Sequence, residues 1–357
     1  MATRRGVLAG LLATAVPRLS WAEAGNPAFV AAAQDPAGEH WLHGLSATGE
    51  SLFRLPLPGR GHAAAAHPDR PEVVAFARRP GHFAMVIDCV VGQTIARLSP
   101  PEGLQFNGHG VFSADGQFLF TSEVIGKTSE GRLGIWDSAR GYARLGEVPT
   151  HGIGPHDVKR RGDGSLVIAN GGIRTDPEDR TKLNIDSMEP SLVYLSTEGE
   201  LLEQLTLEPG LARNSIRHLA LGPDGVVAFA MQWEGDPAES VPLLGLHLRG
   251  EPVRLCPPPE ADSFAMRGYA GSIAYDGARD RIALTSPKGG VVMVFDGQGT
   301  HRFTWRRQDV CGVAVGEAGF VVTDGLGAIS ACDETGLHPL TRGDAAWDNH
   351  LIRIGQA

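Results

Sequence analysis

Gly108-His109-Gly110-Val111-Phe112-Ser113-Ala114-Asp115-Gly116 places a histidine at the head of a short apolar run and closes the run with an Asp-Gly turn. An apolar run bounded by Gly and Asp reads as a strand entering a hairpin. Variants recur along the chain: Gly61-His62 ahead of four alanines, Pro155-His156-Asp157-Val158, Arg217-His218-Leu219-Ala220, Gly271-Ser272-Ile273-Ala274, Cys311-Gly312-Val313-Ala314 and Asn349-His350-Leu351-Ile352. Marked at His62, His109, His156, His218, Gly271, Cys311 and His350, successive spacings are 47, 47, 62, 53, 40 and 39 residues. A four-stranded propeller blade takes about 40–50 residues. The reading is therefore all-β: a single seven-bladed β-propeller of four-stranded antiparallel blades around a central channel.

The chain ends supply the closure. Residues 29–33, 41–47 and 51–55 read as three strands with no inner strand of their own, while residues 350–354 read as an inner strand without the other three. Pairing the C-terminal strand with the N-terminal strands would complete the seventh blade and remove both open sheet edges. Elsewhere the pattern gives whole blades, with one insertion, residues 170–190, too long for a hairpin loop. That insertion either caps the channel, binds a ligand or packs over its own blade.

Composition agrees. A hydrophobic share of 42% with 47 Gly and 24 Pro suits many short strands separated by turns and excludes a disordered chain. The formal charge of -9 repels phosphate backbones, so nucleic acid is not an expected partner. Cys89, Cys256, Cys311 and Cys332 are too scattered for a zinc-ribbon or Cys-x-x-Cys spacing. They are either buried thiols or, in an oxidising compartment, one disulfide pair.

Residues 1–22 carry Arg4-Arg5, an apolar run over residues 7–16 and Ser20-Trp21-Ala22 as a small-x-small cleavage site, and resemble a twin-arginine export signal. The run is too short for a permanent membrane helix. The mature domain is expected over residues 23–357, periplasmic and without an integral membrane span.

In an up-and-down blade, the start of the innermost strand and the end of the second lie on one face. His62, His109, His156, His218, Cys311 and His350 head the inner strands, with Gly271 the exception. Glu123, Asn170, Gln232, Ser286 and Asp324, together with Arg78, Arg79 and Lys288, end the second strands or open the loops after them. The expected geometry is a polar funnel leading to a ring of imidazoles. Neutral imidazole is the commonest metal ligand, so the ring suits iron, copper or zinc, with Cys311 favouring copper or zinc if it ligates. Glu123 or Asp157 would supply a carboxylate or orient a ring. The alternative is a structural channel whose histidines bond carbonyls and trapped water. His67, His82 and His151 read as solvated turn residues. No Gly-x-Ser-x-Gly elbow or His-Glu-x-x-His motif supports a serine hydrolase or zinc protease.

The set formed by residues 108–113, His151-Gly152-Ile153-Gly154-Pro155-His156, Ala169-Asn170-Gly171-Gly172-Ile173, Lys182-Leu183-Asn184 and Pro190-Ser191-Leu192-Val193-Tyr194 resembles the bacterial exported family called domain of unknown function 1513. Ser215-Ile216-Arg217-His218 and Gly271-Ser272-Ile273-Ala274 extend the likeness over nearly the whole mature chain. The resemblance implies a seven-bladed propeller, export, and a periplasmic metal-uptake or imelysin-like partner. It brings no catalytic residue. Where family members commonly carry His-Pro, this chain has Thr175-Asp176-Pro177, which removes a ligand from the insertion. The function expected is a ligand- or metal-binding propeller. The alternatives are a metal-dependent lactonase-like hydrolase, a histidine-ligated redox enzyme, or a protein-interaction scaffold.

Overall fold

In the computed structural model, which describes residues 19–354, seven four-stranded antiparallel sheets follow one another around a ring. Blade one is Gly61–Ala66, Glu72–Ala77, Ala84–Asp88 and Gln93–Leu98; blade two is Leu104–Phe112, Phe118–Ile125, Glu130–Asp137 and Ala143–Ile153. Blade three is Pro155–Arg160, Leu166–Asn170, Ser191–Leu195 and Leu201–Thr206; blade four is Asn214–Leu221, Val227–Trp233, Leu244–His247 and Arg254–Leu255. Blade five is Ser272–Asp276, Arg281–Ser286, Val291–Asp296 and His301–Arg306; blade six is Val310–Val315, Phe320–Asp324, Ala328–Asp333 and Gly336–Arg342. Blade seven has the C-terminal strand Ala346–Arg353 innermost, followed by Phe29–Gln34, His40–Leu45 and Ser51–Leu57.

The ring closes as the ends of the sequence imply. Phe29 faces Arg353, Val30 faces Ile352 and Gln34 faces Ala346 in an antiparallel ladder, so Phe29–Gln34 is paired on both sides and the C-terminal strand completes the blade as its innermost strand. Two boundaries differ from the sequence pattern, which starts the inner strand of blade two at His109 and runs the outer strand of blade four over residues 252–256. The inner strand of blade two begins at Leu104, ahead of His109, because Phe106 pairs with both Glu123 and Gly81. The outer strand of blade four shrinks to Arg254–Leu255, because Pro257, Pro258 and Pro259 have no N–H to extend a ladder.

Successive side chains of a strand point to opposite sheet faces, and here each face meets a neighbouring blade. Val30 and Ala32 pack with Ala64 and Val73 of blade one, while Phe29, Ala31 and Ala33 pack with Ala314 and Val321 of blade six. Ala65 joins Phe106 and Phe112 of blade two. Runs of alanine and valine that do not alternate with polar residues are thus explained: both faces are core. Each Val, Leu or Phe so buried contributes roughly 1.5–3 kcal/mol relative to exposure.

The Asp115-Gly116 turn is itself part of such an interface. Gly116 has φ +69°, and a Cβ there would meet the His67 ring at 2.3 Å. His67 is buried rather than solvated, and its Nδ1 accepts the N–H groups of Asp69 and Arg70. All four cysteines are buried free thiols.

Residues 1–18 of the expected leader lie outside the described residues. Of its last four, Trp21 donates its indole N–H to the His67 carbonyl at 3.1 Å and packs at the interface of blades seven and one. Among the described residues no helix is long and apolar enough to cross a membrane.

Candidate metal centre

The local backbone decides where the strand heads point. Pairing between the first and second strands slips at Gly61/Ala64 in blade one, Phe106/Gly110 in blade two, Pro155/Val158 in blade three and Ile216/His218 in blade four. It slips again at Val310/Val313 in blade six and Ala31/Ala33 in blade seven. Blade five pairs without interruption from Ser272↔Thr285 to Asp276↔Arg281. A bulge bends its strand and re-aims a side chain that regular pleating would have placed on a sheet face. His62, His109, His156 and His350 lie at such slips, with His218 at the edge of one; Gly271 precedes the regular strand.

These five rings meet. His109 stands with its ring centroid 5.0 Å from His62, 4.7 Å from His156, 5.7 Å from His218 and 4.8 Å from His350. His62, His109, His156 and His218 each offer a nitrogen within 4.8 Å of the others, a group that could hold a metal ion. All five histidines are buried, between 3% and 8% exposed. Gly108 permits the close approach: its φ is +94°, and a Cβ would meet His62 Cδ2 at 2.6 Å.

Two carboxylates fix two of the rings. Asp157 Oδ1 lies 3.3 Å from His109 Nδ1, and Asp348 Oδ1 lies 3.5 Å from His62 Nδ1. Each carboxylate comes from the neighbouring blade. Asp157 also accepts the N–H groups of Val158 and Leu219, and Asp348 takes the Arg60 guanidinium at 2.6 Å. Burial opposes ionisation of Asp157, but Lys159 and His109 outweigh it and hold the carboxyl below its usual range. Burial opposes ionisation of Asp348 too, and His62 and Arg60 reverse the balance.

A carboxylate on Nδ1 leaves Nε2 as the free donor, the arrangement that orients metal-ligating histidines. The Nε2 atoms of His109 and His350 are buried with no hydrogen-bond partner, as are the Nδ1 atoms of His156 and His218. His156 Nε2 and His218 Nε2 face each other at 3.0 Å. Two nitrogens on a tetrahedral metal, each about 2.0–2.1 Å from it, stand about 3.3 Å apart, so this pair needs little movement. Burial pushes His62 down to about 4 and holds His156, His218 and His350 well below the ordinary imidazole value, with the neighbouring rings adding to the shift. These rings are neutral near pH 7, the form that ligates metals.

The other sequence candidates lie elsewhere. Cys311 is not in the four-histidine group: its thiol donates to the Trp347 carbonyl at 3.4 Å, lines a separate cavity of about 150 Å³ with Asp309 and Asp348, and is pushed by burial up to about 12. Glu123 turns away from the channel to grip Arg144 through both oxygens, at 2.8 and 2.9 Å, and accepts the Thr121 hydroxyl. Asn170 bonds Thr150 and Ser191; Gln232 donates to the Ala270 carbonyl; Ser286 donates to the Met266 carbonyl. Asp324 accepts the N–H groups of Leu326 and Ala328 and binds Arg307. Of this second set, Asp157 alone touches a channel histidine. Asp348, which no local spacing in the sequence marks, plays the matching part for His62.

The insertion lies over this end of the channel. Pro177 accepts from Gln105 and Thr175 from Ser129, both of blade two, while Lys182 pairs with Glu234 in the loop after the second strand of blade four. It therefore reaches well past its own blade.

Comparisons with known proteins add a family and little else. No curated protein matches the chain. A protein of unknown function from Bacteroides caccae, known from its crystal structure, is 10% identical, with a TM-score of 0.49 over 78% of this chain and 94% of its own. The family model described as "Protein of unknown function (DUF1513)" matches residues 55–354, and the chain belongs to that family.

Proposed function

We propose that this protein is an exported, periplasmic metal-binding propeller whose four channel imidazoles, His62, His109, His156 and His218, hold one transition-metal ion. One observation carries the reading: His62, His109, His156 and His218 each bring a buried ring nitrogen within 4.8 Å of the others, while two of the rings are oriented by carboxylates. His109 Nε2 is buried without a partner, which costs free energy that a bound ion would recover. A nitrogen-only donor set suits zinc, copper or iron, and the high thiol pKa of Cys311 leaves that residue out. His350, packed 4.5 Å from His62 and 4.8 Å from His218 between ring centroids, would wall the site or add a fifth nitrogen. The role is binding or handling of metal, with a periplasmic metal-uptake protein of the imelysin-like kind as partner.

The test is metal content and stability of the full chain purified after export. One equivalent of metal per chain and a metal-dependent rise in Tm are expected. The double variant His109→Ala/His156→Ala should lose both while keeping the circular-dichroism spectrum of the parent. Metal-free protein whose Tm is indifferent to zinc, copper and iron would overturn the reading, and so would full occupancy of the double variant.

A further inference from the structure

Above the histidines, the same end of the channel gathers cations that form no ion pair with a carboxylate among the described residues. Arg217 is 5% exposed, makes no ion pair or hydrogen bond among the described residues, and has a buried Nε with no partner. Its guanidinium lies against Gly171, where a Cβ would come within 3.3 Å of both Cζ and Nε. Arg79 follows Arg78 just past the second strand of blade one and has no carboxylate within ion-pair distance among the described residues. Burial and the charges of Arg217, Arg180 and Arg78 push it down to about 9. Arg180 comes from the insertion and is likewise without an acid partner among the described residues. Lys288 places Nζ 4.5 Å from the centroid of the Tyr269 ring, whose hydroxyl accepts from Asn349 at 3.4 Å. Of the acids near this rim, Asp348 is engaged with Arg60, Arg78 and His62, and Glu234 with Lys182; Asp309, which lines a cavity with Arg60, forms no ion pair among the described residues.

A buried guanidinium without a counter-ion is costly, and several converging ones repel each other. In a chain of net charge -9, a concentrated cationic mouth is not a by-product of composition. Arginine's planar fork matches carboxylate and phosphate oxygens two at a time.

We propose that this mouth is a binding site for a small polyanion bearing carboxylate or phosphate groups, held by Arg79 and Arg217 and closed over by Arg180 of the insertion, with Lys288 and Tyr269 at its rim. The site does not depend on metal in the channel. A ligand seated here would lie at the same end of the channel as the histidine cluster, since Arg217 immediately precedes His218.

The experiment is calorimetric titration of the full chain, metal-depleted by dialysis, with citrate in one arm and inorganic pyrophosphate in the other, at low and at high salt. Binding of at least one probe is expected, weakening as salt screens the charges, and the better probe identifies the ligand class. Arg79→Met/Arg217→Met should weaken binding at least tenfold, while Arg97→Met, on the exposed outer strand of blade one, should leave it unchanged. As a second readout, the probe should raise the Tm of the parent but not of the double variant, and Arg217→Met alone should melt no lower than the parent, because it removes an unpaired buried charge. Failure of both probes to bind would overturn the proposal, as would binding that survives the double substitution. Neither result bears on metal content, so the two readings fail separately.

Discussion

Blades two and five carry versions of the same strand-head motif and do opposite things with it. In blade two the inner strand slips between Phe106 and Gly110, Gly108 adopts φ +94°, and His109 is delivered to the channel. In blade five the motif reads Gly271-Ser272-Ile273, the ladder runs unbroken, and no titratable side chain enters. The repeat supplies a stable blade in both cases. What blade two adds is a local interruption of regular pairing, and the interruption is where the chemistry sits. A propeller can therefore place polar groups on its axis without unsettling the interblade cores, which are built from the residues on either side of the slip.

If the slip and its carboxylate act as one unit, the largest effect should come from Asp157→Ala. That carboxylate holds His109, draws Lys159 to 3.3 Å and satisfies the Leu219 N–H. Removing it leaves buried donors and a cation unpaired, a loss of about 3–5 kcal/mol by analogy with other broken buried pairs. Ser272→Ala at the corresponding part of blade five should cost under about 1 kcal/mol, since Ser272 makes no side-chain hydrogen bond. Denaturant midpoints with unchanged m-values would measure both. Equal costs would erase the distinction between the blades.

Proton uptake gives a smaller effect with a definite sign. His62 is held at about 4 when folded and returns to an ordinary imidazole value near 6.5 when unfolded. Between those values the unfolded chain binds more protons, so stability is complete above about pH 6.5 and is lost as the pH falls toward 4. At pH 5 His62 alone should account for about 2 kcal/mol, and His156, His218 and His350 add in the same direction. His43, buried outside the channel in blade seven and also lowered to about 4, contributes too. His67, His247 and His301 are lowered by burial as well, so the off-channel rings share the effect. Comparison of the parent with His62→Gln across pH 7.5 to 5 isolates the share of that channel ring, and identical profiles for the two proteins would mean that His62 already exchanges protons with solvent when folded.

The sequence makes the frame of this comparison readable and hides its operative detail. Strand heads at regular spacing, and two chain ends that each lack what the other has, are enough to specify a closed seven-bladed ring. Five histidines at equivalent positions are enough to bring their rings toward one axis. The direction of each remaining side chain depends on ladder register, and a slip of one residue exchanges one sheet face for the other. That is why Glu123 and Asn170, placed correctly at the ends of second strands, turn away from the channel, Glu123 to Arg144 of its own blade and Asn170 to Thr150 of blade two and Ser191 of blade three. It is also why Asp157 serves the His109 ring rather than its sequence neighbour His156, and why Asp348 went unnoticed two residues before His350. Partners drawn from adjacent blades leave no local spacing to read.

Blade six supplies the finest test, because it has the slip of blade two without the histidine. The interruption lies between Val310 and Val313, and Cys311 occupies the position that His109 holds in blade two. Its thiol is spent on the Trp347 and Thr323 carbonyls and its side chain belongs to the apolar interface with blade seven. Cys311→Ala removes one sulfur from a site bordered by a cavity, so a loss of about 1 kcal/mol is expected, below the usual cost of deleting a large core side chain. Metal affinity should stay within twofold of the parent in a competition titration. A tenfold loss would bring the thiolate into the donor set and make blade six a partner of blade two. An unchanged affinity would show that slipping the strand is necessary to aim a residue at the axis, whereas the imidazole that follows decides whether anything is held there.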